Sequence, residues 1–233
     1  MTEMTELVPV ITIDGPGGSG KGTIGARLAN RLNWEFLDSG ALYRLVGLAA
    51  NKHGIALDDE AALEKISRGL DAQFAVKRVG DEILHFTYLE DEDVGAELRT
   101  EEAGASASKV AVLQRVREAL LQRQRDFRTL PGLVCDGRDM GTVVFPDAQL
   151  KIYLTASAKI RAERRVKQLK NKGLDANLPQ ILADIKARDD RDMNRSVSPL
   201  VPADDAIVID TSEMGVDEVD SRIRELVKSR FNI

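Results

Sequence analysis

"VPVITIDGPGGSGKGT", residues 8–23, decides how the rest of the chain is read. Its first half is a run of β-branched and apolar residues closing on Asp14, the pattern of a buried strand. The next nine positions, 15–23, hold five glycines, and a helical pattern follows from about Gly22 to Leu32. Strand, glycine-rich loop and helix in that order form the context that GxxxxGK requires, and Gly15, Gly20 and Lys21 meet it. Side chains would block a backbone that must curl round an anion, so Gly15, Gly17, Gly18, Gly20 and Gly22 let successive N–H groups turn inward. Pro16 and Ser19 complete the loop. The helix adds its positive N-terminal end, and Lys21 brings a mobile full charge for the β and γ phosphates of a nucleoside triphosphate. A flexible strand-to-helix turn with an incidental lysine is the plain alternative.

One position departs from the common form of this loop. Gly22 stands where a serine or threonine usually touches Mg²⁺, and the hydroxyl arrives one residue later, at Thr23. The expectation is an ion held through water and through the nucleotide, with Thr23 and Asp136 close to it and Asp14 a further candidate. Strand-end aspartates also serve as helix caps and loop anchors.

Outward from the loop, short apolar runs alternate with longer helical patterns, the signature of an α/β chain with a parallel sheet between helices. Strands are expected at Val8 to Asp14, Glu35 to Leu37, Gly132 to Asp136, Leu150 to Leu154 and Ala206 to Ile209, five in one sheet. Helices are expected near Gly22 to Leu32, Ala41 to Lys52, Ala61 to Arg68, Ala105 to Arg128, Ala158 to Lys172, Pro179 to Ser196 and Val216 to Phe231. Asp58 or Asp59 can open the third helix and Gly69 can close it; Gly173 can end the one after Lys172, and Pro131 marks the return to extended chain. "QFAVKRV", a turn "GD" and "EILHFTYL", between Asp71 and Leu89, read instead as an antiparallel hairpin outside the main sheet. The domain reading is a core of residues 1–38 and 131–233 with an inserted lobe at 39–130, and a short lid at about 155–172.

Composition narrows the class of protein. The 233 residues, 43% hydrophobic and 30% charged, suffice for one sizeable domain with an insertion or for two small ones. A net charge of −5 argues against a chain that coats itself with nucleic acid, while leaving room for local arginine clusters around a small anion. The single cysteine, Cys135, rules out a disulfide framework and a cysteine-based zinc site, and fits a reducing compartment. "MTEMTELVPV" lacks the layout of a signal peptide and no run approaches a membrane span, so a cytoplasmic chain is expected.

The loop fits motors, switches and kinases alike, so a second substrate site must decide between them. "RDDRDMNR", residues 188–195, sets Arg188, Asp192 and Arg195 at spacings of four and three, on one helix face. Guanidinium forks suit phosphate oxygens and a carboxylate suits sugar hydroxyls, so this row fits a nucleoside monophosphate. A solvated helix bearing two ion pairs is the plain alternative. Arg44 after "LDSGALY", and Arg138 with Asp139 in "DGRDMG", emerge at carboxyl ends of expected strands, where ligands collect in open α/β sheets. "AKIRAERRVKQLKNK", residues 158–172, carries Arg161, Arg164 and Arg165 within one turn, a basic helix fit to close over a triphosphate or simply a solvated face.

The segments "ITIDGPGGSGKGT", "LDSGALYR", "RVREALLQRQR", "DGRDMGTVVFP" and "RDDRDMNRSVSPL", in this order, closely resemble the bacterial cytidylate kinases. The resemblance runs from about Val8 to the final helix. It implies a P-loop nucleoside monophosphate kinase fold, with a core, an enlarged nucleotide-binding lobe and a short lid without zinc. It further implies transfer of the γ-phosphoryl group of ATP, with Mg²⁺, to CMP or dCMP. By position in the matching motifs, Ser108, Arg117 and Asp139 face the cytosine, and Arg188 and Asp192 face the sugar. Arg44, Arg138 and Arg195 hold the acceptor phosphate, with Ser39 close by. Chemistry agrees with the base assignment: a carboxylate accepts from the exocyclic amine of cytosine while Arg117 and Ser108 donate to its carbonyl and ring nitrogen. Uracil would turn an oxygen toward the same carboxylate.

No dedicated general base is found, and both histidines, His53 and His85, fall outside the motifs as surface or packing residues. An acceptor phosphate is already ionised near neutral pH, so catalysis reduces to alignment, exclusion of water and charge screening by Lys21, Mg²⁺ and arginines such as Arg138, Arg188 and Arg195. Two other readings share the loop: another small-molecule kinase, similar to the adenylate or shikimate kinases, and a P-loop nucleic-acid-binding NTPase. "NK" at Asn51 and Lys52 is followed by His53 and Gly54, which is no guanine-reading motif. Partners are expected to be ATP and CMP or dCMP, with no nucleic acid or membrane, on a monomer.

Overall fold

The computed structural model describes residues 7–79, 82–171 and 173–232. The chain opens with β1 (Val10–Asp14), passes through the glycine-rich loop into α1 (Lys21–Leu32) and returns as β2 (Glu35–Asp38). Then come α2 (Ser39–Lys52), α3 (Glu60–Arg68), β3 (Ala72–Val79), β4 (Glu82–Leu89), β5 (Glu92–Asp93), α4 (Glu101–Val110) and α5 (Gln114–Arg125). The last third runs β6 (Leu133–Gly137), a π-helical turn (Met140–Val144), β7 (Leu150–Thr155), α6 (Ala158–Asn171), α7 (Leu178–Asn194), β8 (Ile207–Asp210) and α8 (Val216–Phe231). These elements form two compact units, one of Met1–Asp38 with Gln124–Ile233, the other of Ser39–Arg123.

In the first unit the five strands expected from sequence form one sheet in the order β2-β6-β1-β7-β8, and every pairing is parallel. β1 therefore lies between two strands that come much later in the chain. The direction of winding reverses there, at the point where open α/β sheets bind ligands. β1 and β6 are buried at all five positions each, which is why both read as unbroken apolar runs rather than as alternating ones.

α1 buries Lys21, Ile24, Gly25, Leu28 and Ala29, a single stripe at helical spacing. Ile24 and Leu28 join Ile11, Ile13, Val134, Ile152 and Leu154 of the sheet and Val219, Ile223 and Val227 of α8 in one core cluster. At its edge the rings of Trp34 and Phe231 meet edge to face at 5.5 Å. The lysine at the head of this apolar stripe is what the loop needs: a cation fixed by the same packing that fixes the helix.

In the second unit α2 packs on α4. A β-carbon on Gly47 would stand 2.9 Å from Cβ of Ser106, so the two helices approach through a glycine. β3 and β4 form the expected antiparallel hairpin, from Ala72↔Leu89 to Val79↔Glu82. Its expected turn, Gly80 and Asp81, lies outside the described residues. The short β5 adds a third strand through a turn at Glu90 and Asp91, with φ of 51° and 65°. Two successive positive φ values are the geometry of a tight hairpin, here without the usual Asn-Gly signal.

The single helix expected from Ala105 to Arg128 is two helices. α4 starts earlier, where the Thr100 hydroxyl accepts from the Ala103 N–H at 3.1 Å. The break at Ala111–Leu113 contains neither glycine nor proline. Instead Nη1 of Arg117 donates to the Ala111 carbonyl at 3.1 Å, satisfying an acceptor that the end of α4 would otherwise leave open.

Candidate active site

The loop after β1 is shaped by steric exclusion. Gly15 has φ of 149°, and a β-carbon there would stand 2.0 Å from the carbonyl oxygen of Leu154, so no other residue fits. α1 begins at Lys21 after Gly20, which offers no side-chain cap, whereas Asp59, Thr100 and Asn177 cap α3, α4 and α7. Its first amides are thus left to whatever anion the loop encloses. The Ser19 hydroxyl, buried in the loop, has no hydrogen-bond partner among the described residues.

Lys21 is 8% exposed, and its ammonium donates to the Pro16 carbonyl at 3.3 Å. Burial, then the guanidinium of Arg138, presses its pKa down to about 7, against the pull of the Asp136 and Asp38 carboxylates. Asp136, the last residue but one of β6, is buried, with Oδ2 3.1 Å from where a β-carbon on Gly22 would stand. Thr23 is exposed on the first turn of α1. Among the described residues no three His, Cys, Asp or Glu side chains gather as a metal cluster.

Asp14 turns out to be an anchor. Its two carboxylate oxygens accept from the N–H groups of Met140 and Gly141, at 2.9 and 2.8 Å. They tie the end of β1 to the π-helical turn that follows Asp139. Burial lifts this carboxyl to about 6 although both amides oppose the rise.

Five of the expected acceptor residues, Arg138, Asp139, Arg188, Asp192 and Arg195, gather in the first unit beside the loop. Nε of Arg138 donates to Oδ2 of Asp192 at 2.8 Å, with both side chains largely buried. A β-carbon on Gly17 would lie 3.6 Å from Nη2 of Arg138 and 3.8 Å from Nη1 of Arg188. Burial pushes the Asp192 carboxyl up, but Arg138, with Arg188 and Arg195, outweighs it and holds the group below the usual carboxylate range. Arg195, just past the end of α7, donates through Nε to the Ser198 carbonyl, and its Nη2 lies 3.8 Å from Oδ1 of Asp139.

The remaining acceptor candidates belong to the second unit. Ser39 opens α2 and is 4% exposed; Ser108 on α4 is 3% exposed. Arg44 follows Tyr43 on α2 and is half-buried. The Arg117 guanidinium, besides its bond to Ala111, sits 5.6 Å from the centroid of the Tyr43 ring.

The three arginines of α6 differ from one another. Arg161 is 4% exposed and makes four hydrogen bonds, to the carbonyls of Ala156 and Gly17 and to both oxygens of Asp189. Arg164 donates to the hydroxyl and carbonyl of Thr211. Arg165 is half-buried and reaches Gln168 at 3.2 Å. Asp189 and Thr211 were not expected near the loop. Asp189 is one residue from Arg188, but no spacing in the chain points from either to Arg161 or to Ser19. His53 is half-exposed and bonded to Glu90 at 2.6 Å, while the side chain of His85 lies outside the described residues.

The sequence model of the cytidylate kinase family matches residues 11–229 of this chain. Cytidylate kinase of Shewanella sp. strain MR-4 is 56% identical over 216 residues, 93% of each chain. That of Aeromonas hydrophila is 55% identical over 93% of this chain and 92% of its own. Among solved structures, TT1252 from Thermus thermophilus aligns over 97% of this chain and 99% of that one, at 19% identity and a TM-score of 0.46.

Proposed function

The chain belongs to the cytidylate kinase family, and we propose that it transfers the γ-phosphoryl group of ATP to CMP or dCMP, giving ADP and CDP or dCDP. The observation that carries this reading is the approach of Arg138 and Arg188 to Gly17, together with the Arg138–Asp192 pair. Cations able to hold an acceptor phosphate stand against the loop that cradles the donor.

On this reading Gly15 to Thr23 enclose the ATP phosphates, and the unpartnered Ser19 hydroxyl supplies one more donor. Lys21 bridges toward the β and γ phosphates, and Arg165 lies further along α6. Arg44, Arg138 and Arg195 hold the acceptor phosphate with Ser39; Arg188 and Asp192 face the sugar; Ser108, Arg117 and Asp139 read the base. An acceptor phosphate oxygen attacks the γ-phosphorus as its bond to the β,γ-bridging oxygen breaks. The acceptor needs no base, and the arginines and Lys21 offset charge and hold the two phosphates in line.

The residues present fit a hard, largely hydrated divalent cation. The Asp136 carboxylate stands 3.1 Å from where a side chain at position 22 would begin, an oxygen donor beside the head of α1. Asp136 and Thr23 would hold Mg²⁺ through water. Bound with ATP, the ion screens the phosphate charge. No helix among the described residues is long and apolar enough to cross a membrane; we read the protein as a cytoplasmic monomer with no nucleic-acid partner.

An acceptor panel tests this reading: Mg²⁺-ATP with CMP, dCMP, UMP, AMP or GMP, followed by ADP release. CMP and dCMP are expected to be used far faster than the others, and no turnover with CMP above the ATP-only background refutes the assignment. Asp139→Ala is expected to erase the preference for cytosine over uracil; a variant that keeps it removes Asp139 from the base pocket.

A further inference from the structure

A loop whose N–H groups turn inward must turn its carbonyls outward, and buried carbonyls need donors. Besides Gly20, whose carbonyl accepts from the Ile24 N–H of α1 at 3.1 Å, three carbonyls of this loop have identifiable donors. Pro16 accepts from Lys21 and from the Ser19 N–H, at 3.3 and 3.4 Å. Gly17 accepts from Nη1 of Arg161 at 3.0 Å. Ser19 accepts from the Thr211 hydroxyl at 3.3 Å.

The last two donors are themselves held from behind. Arg161 forks onto both oxygens of Asp189 on α7, at 3.0 and 2.5 Å, and its Nε bonds the Ala156 carbonyl at 2.9 Å. Its stem also backs the loop: a β-carbon on Gly18 would touch Cβ of Arg161 at 3.4 Å. Thr211 is 2% exposed and has one proton to give, with the carbonyls of Ser19 and Thr155 in reach. Arg164 donates to the Thr211 hydroxyl at 3.1 Å and so turns that proton away from α6, toward the two carbonyls. A guanidinium buried with four bonds made gains little by leaving them for an exposed phosphate.

We propose that Arg161 and Arg164 are positioning residues for the phosphate loop rather than ligands of the triphosphate, braced by Asp189 and Thr211. α6 is then a buttress behind the loop. This inference rests on the reading of that loop as the ATP site.

Binding of ATP and ADP by isothermal titration, and steady-state kinetics with CMP, test it on the whole chain. Thr211→Val keeps the shape and removes the proton; Thr211→Ser keeps the proton; Asp189→Asn keeps the shape and removes the charge that holds Arg161. Thr211→Val and Asp189→Asn are each expected to weaken ATP and ADP binding about 5- to 30-fold, the loss of one buried hydrogen bond, with KM for CMP unchanged. Thr211→Ser is expected to restore binding to within about twofold. If the arginines are ligands instead, Asp189→Asn releases Arg161 and leaves ATP binding equal or tighter, and Thr211→Val leaves it equal; either result overturns the proposal. Should Asp189→Asn fail to fold, the Thr211→Val and Thr211→Ser pair decides. Wild-type protein that does not bind ATP would refute the underlying reading, whereas normal wild-type binding with unaffected variants refutes only this inference.

Discussion

Oδ2 of Asp136 lies 3.1 Å from the point where a β-carbon on Gly22 would stand. The carboxylate near the end of β6 and the missing side chain on α1 are thus one arrangement: the acid stands in tight contact with the point where a side chain at position 22 would begin. Gly22→Ser, which restores the commoner residue, is expected to lower kcat about 10- to 100-fold by displacing Asp136, with little effect on thermal stability. Initial rates across a Mg²⁺ titration would check this. A Gly22→Ser enzyme as fast as wild type would show that the carboxylate has no part in the reaction.

Lys21, pressed to about 7 by burial and by Arg138, has lost most of its proton in the free protein at about pH 8.5. Triphosphate oxygens favour the charged form, so ATP binding at that pH is expected to take up about one proton, and much less at about pH 6. Titration calorimetry in buffers of different ionisation enthalpy reads the uptake directly. Lys21→Met should abolish it.

Breaking the pair between Arg138 and Asp192 leaves a buried carboxylate facing Arg188 and Arg195 alone. Arg138→Ala is expected to cost up to about 3 kcal/mol in urea unfolding and to raise KM for CMP more than KM for ATP. Because the folded pKa of Asp192 is depressed, its contribution is present above the unfolded carboxylate value and disappears as pH falls through the folded one. Unfolding followed from neutral pH downward should therefore show wild type losing its advantage over Arg138→Ala only in strong acid.

Asp14 runs the other way. Its folded pKa, about 6, is above the unfolded value, so the native state holds the proton more tightly between about pH 4 and 6. Stability on this group's account falls as pH rises through that window. Asp14→Asn is expected to flatten that slope, and also to weaken use of CMP by loosening the turn at Met140 and Gly141. An unchanged slope in denaturant melts at about pH 4.5 and 6.5 would exclude Asp14 as its source.

Local chemistry made much of this protein legible in one dimension. β1, β6 and β7 announced themselves because strands buried on both faces need unbroken apolar runs, whereas the edge strands β2 and β8 are largely uncovered and showed only as short apolar runs. The loop was visible because curling a backbone round an anion demands glycines in sequence, and Arg188, Asp192 and Arg195 because helical spacing alone brings them to one face. The break between α4 and α5 was hidden, since it depends on a guanidinium reaching back to Ala111 rather than on a helix-breaking residue. β5 was hidden because Glu90 and Asp91 adopt positive φ without the residues that usually do so.

What the sequence by itself determined is the inventory: a strand, a phosphate loop, a lysine, and arginines and aspartates at strand and helix ends. Only the tertiary structure decided what each charge faces. Asp14, Asp136 and Asp192 are equivalent on paper, yet one anchors backbone amides, one fills the space beside Gly22 and one pairs with Arg138. Arg161 looked like a cation for the triphosphate and is forked onto Asp189 behind the loop. A charge acts through its partners within a few ångströms, and partners 28 or 54 residues apart in the chain become neighbours only when the sheet and its helices have packed.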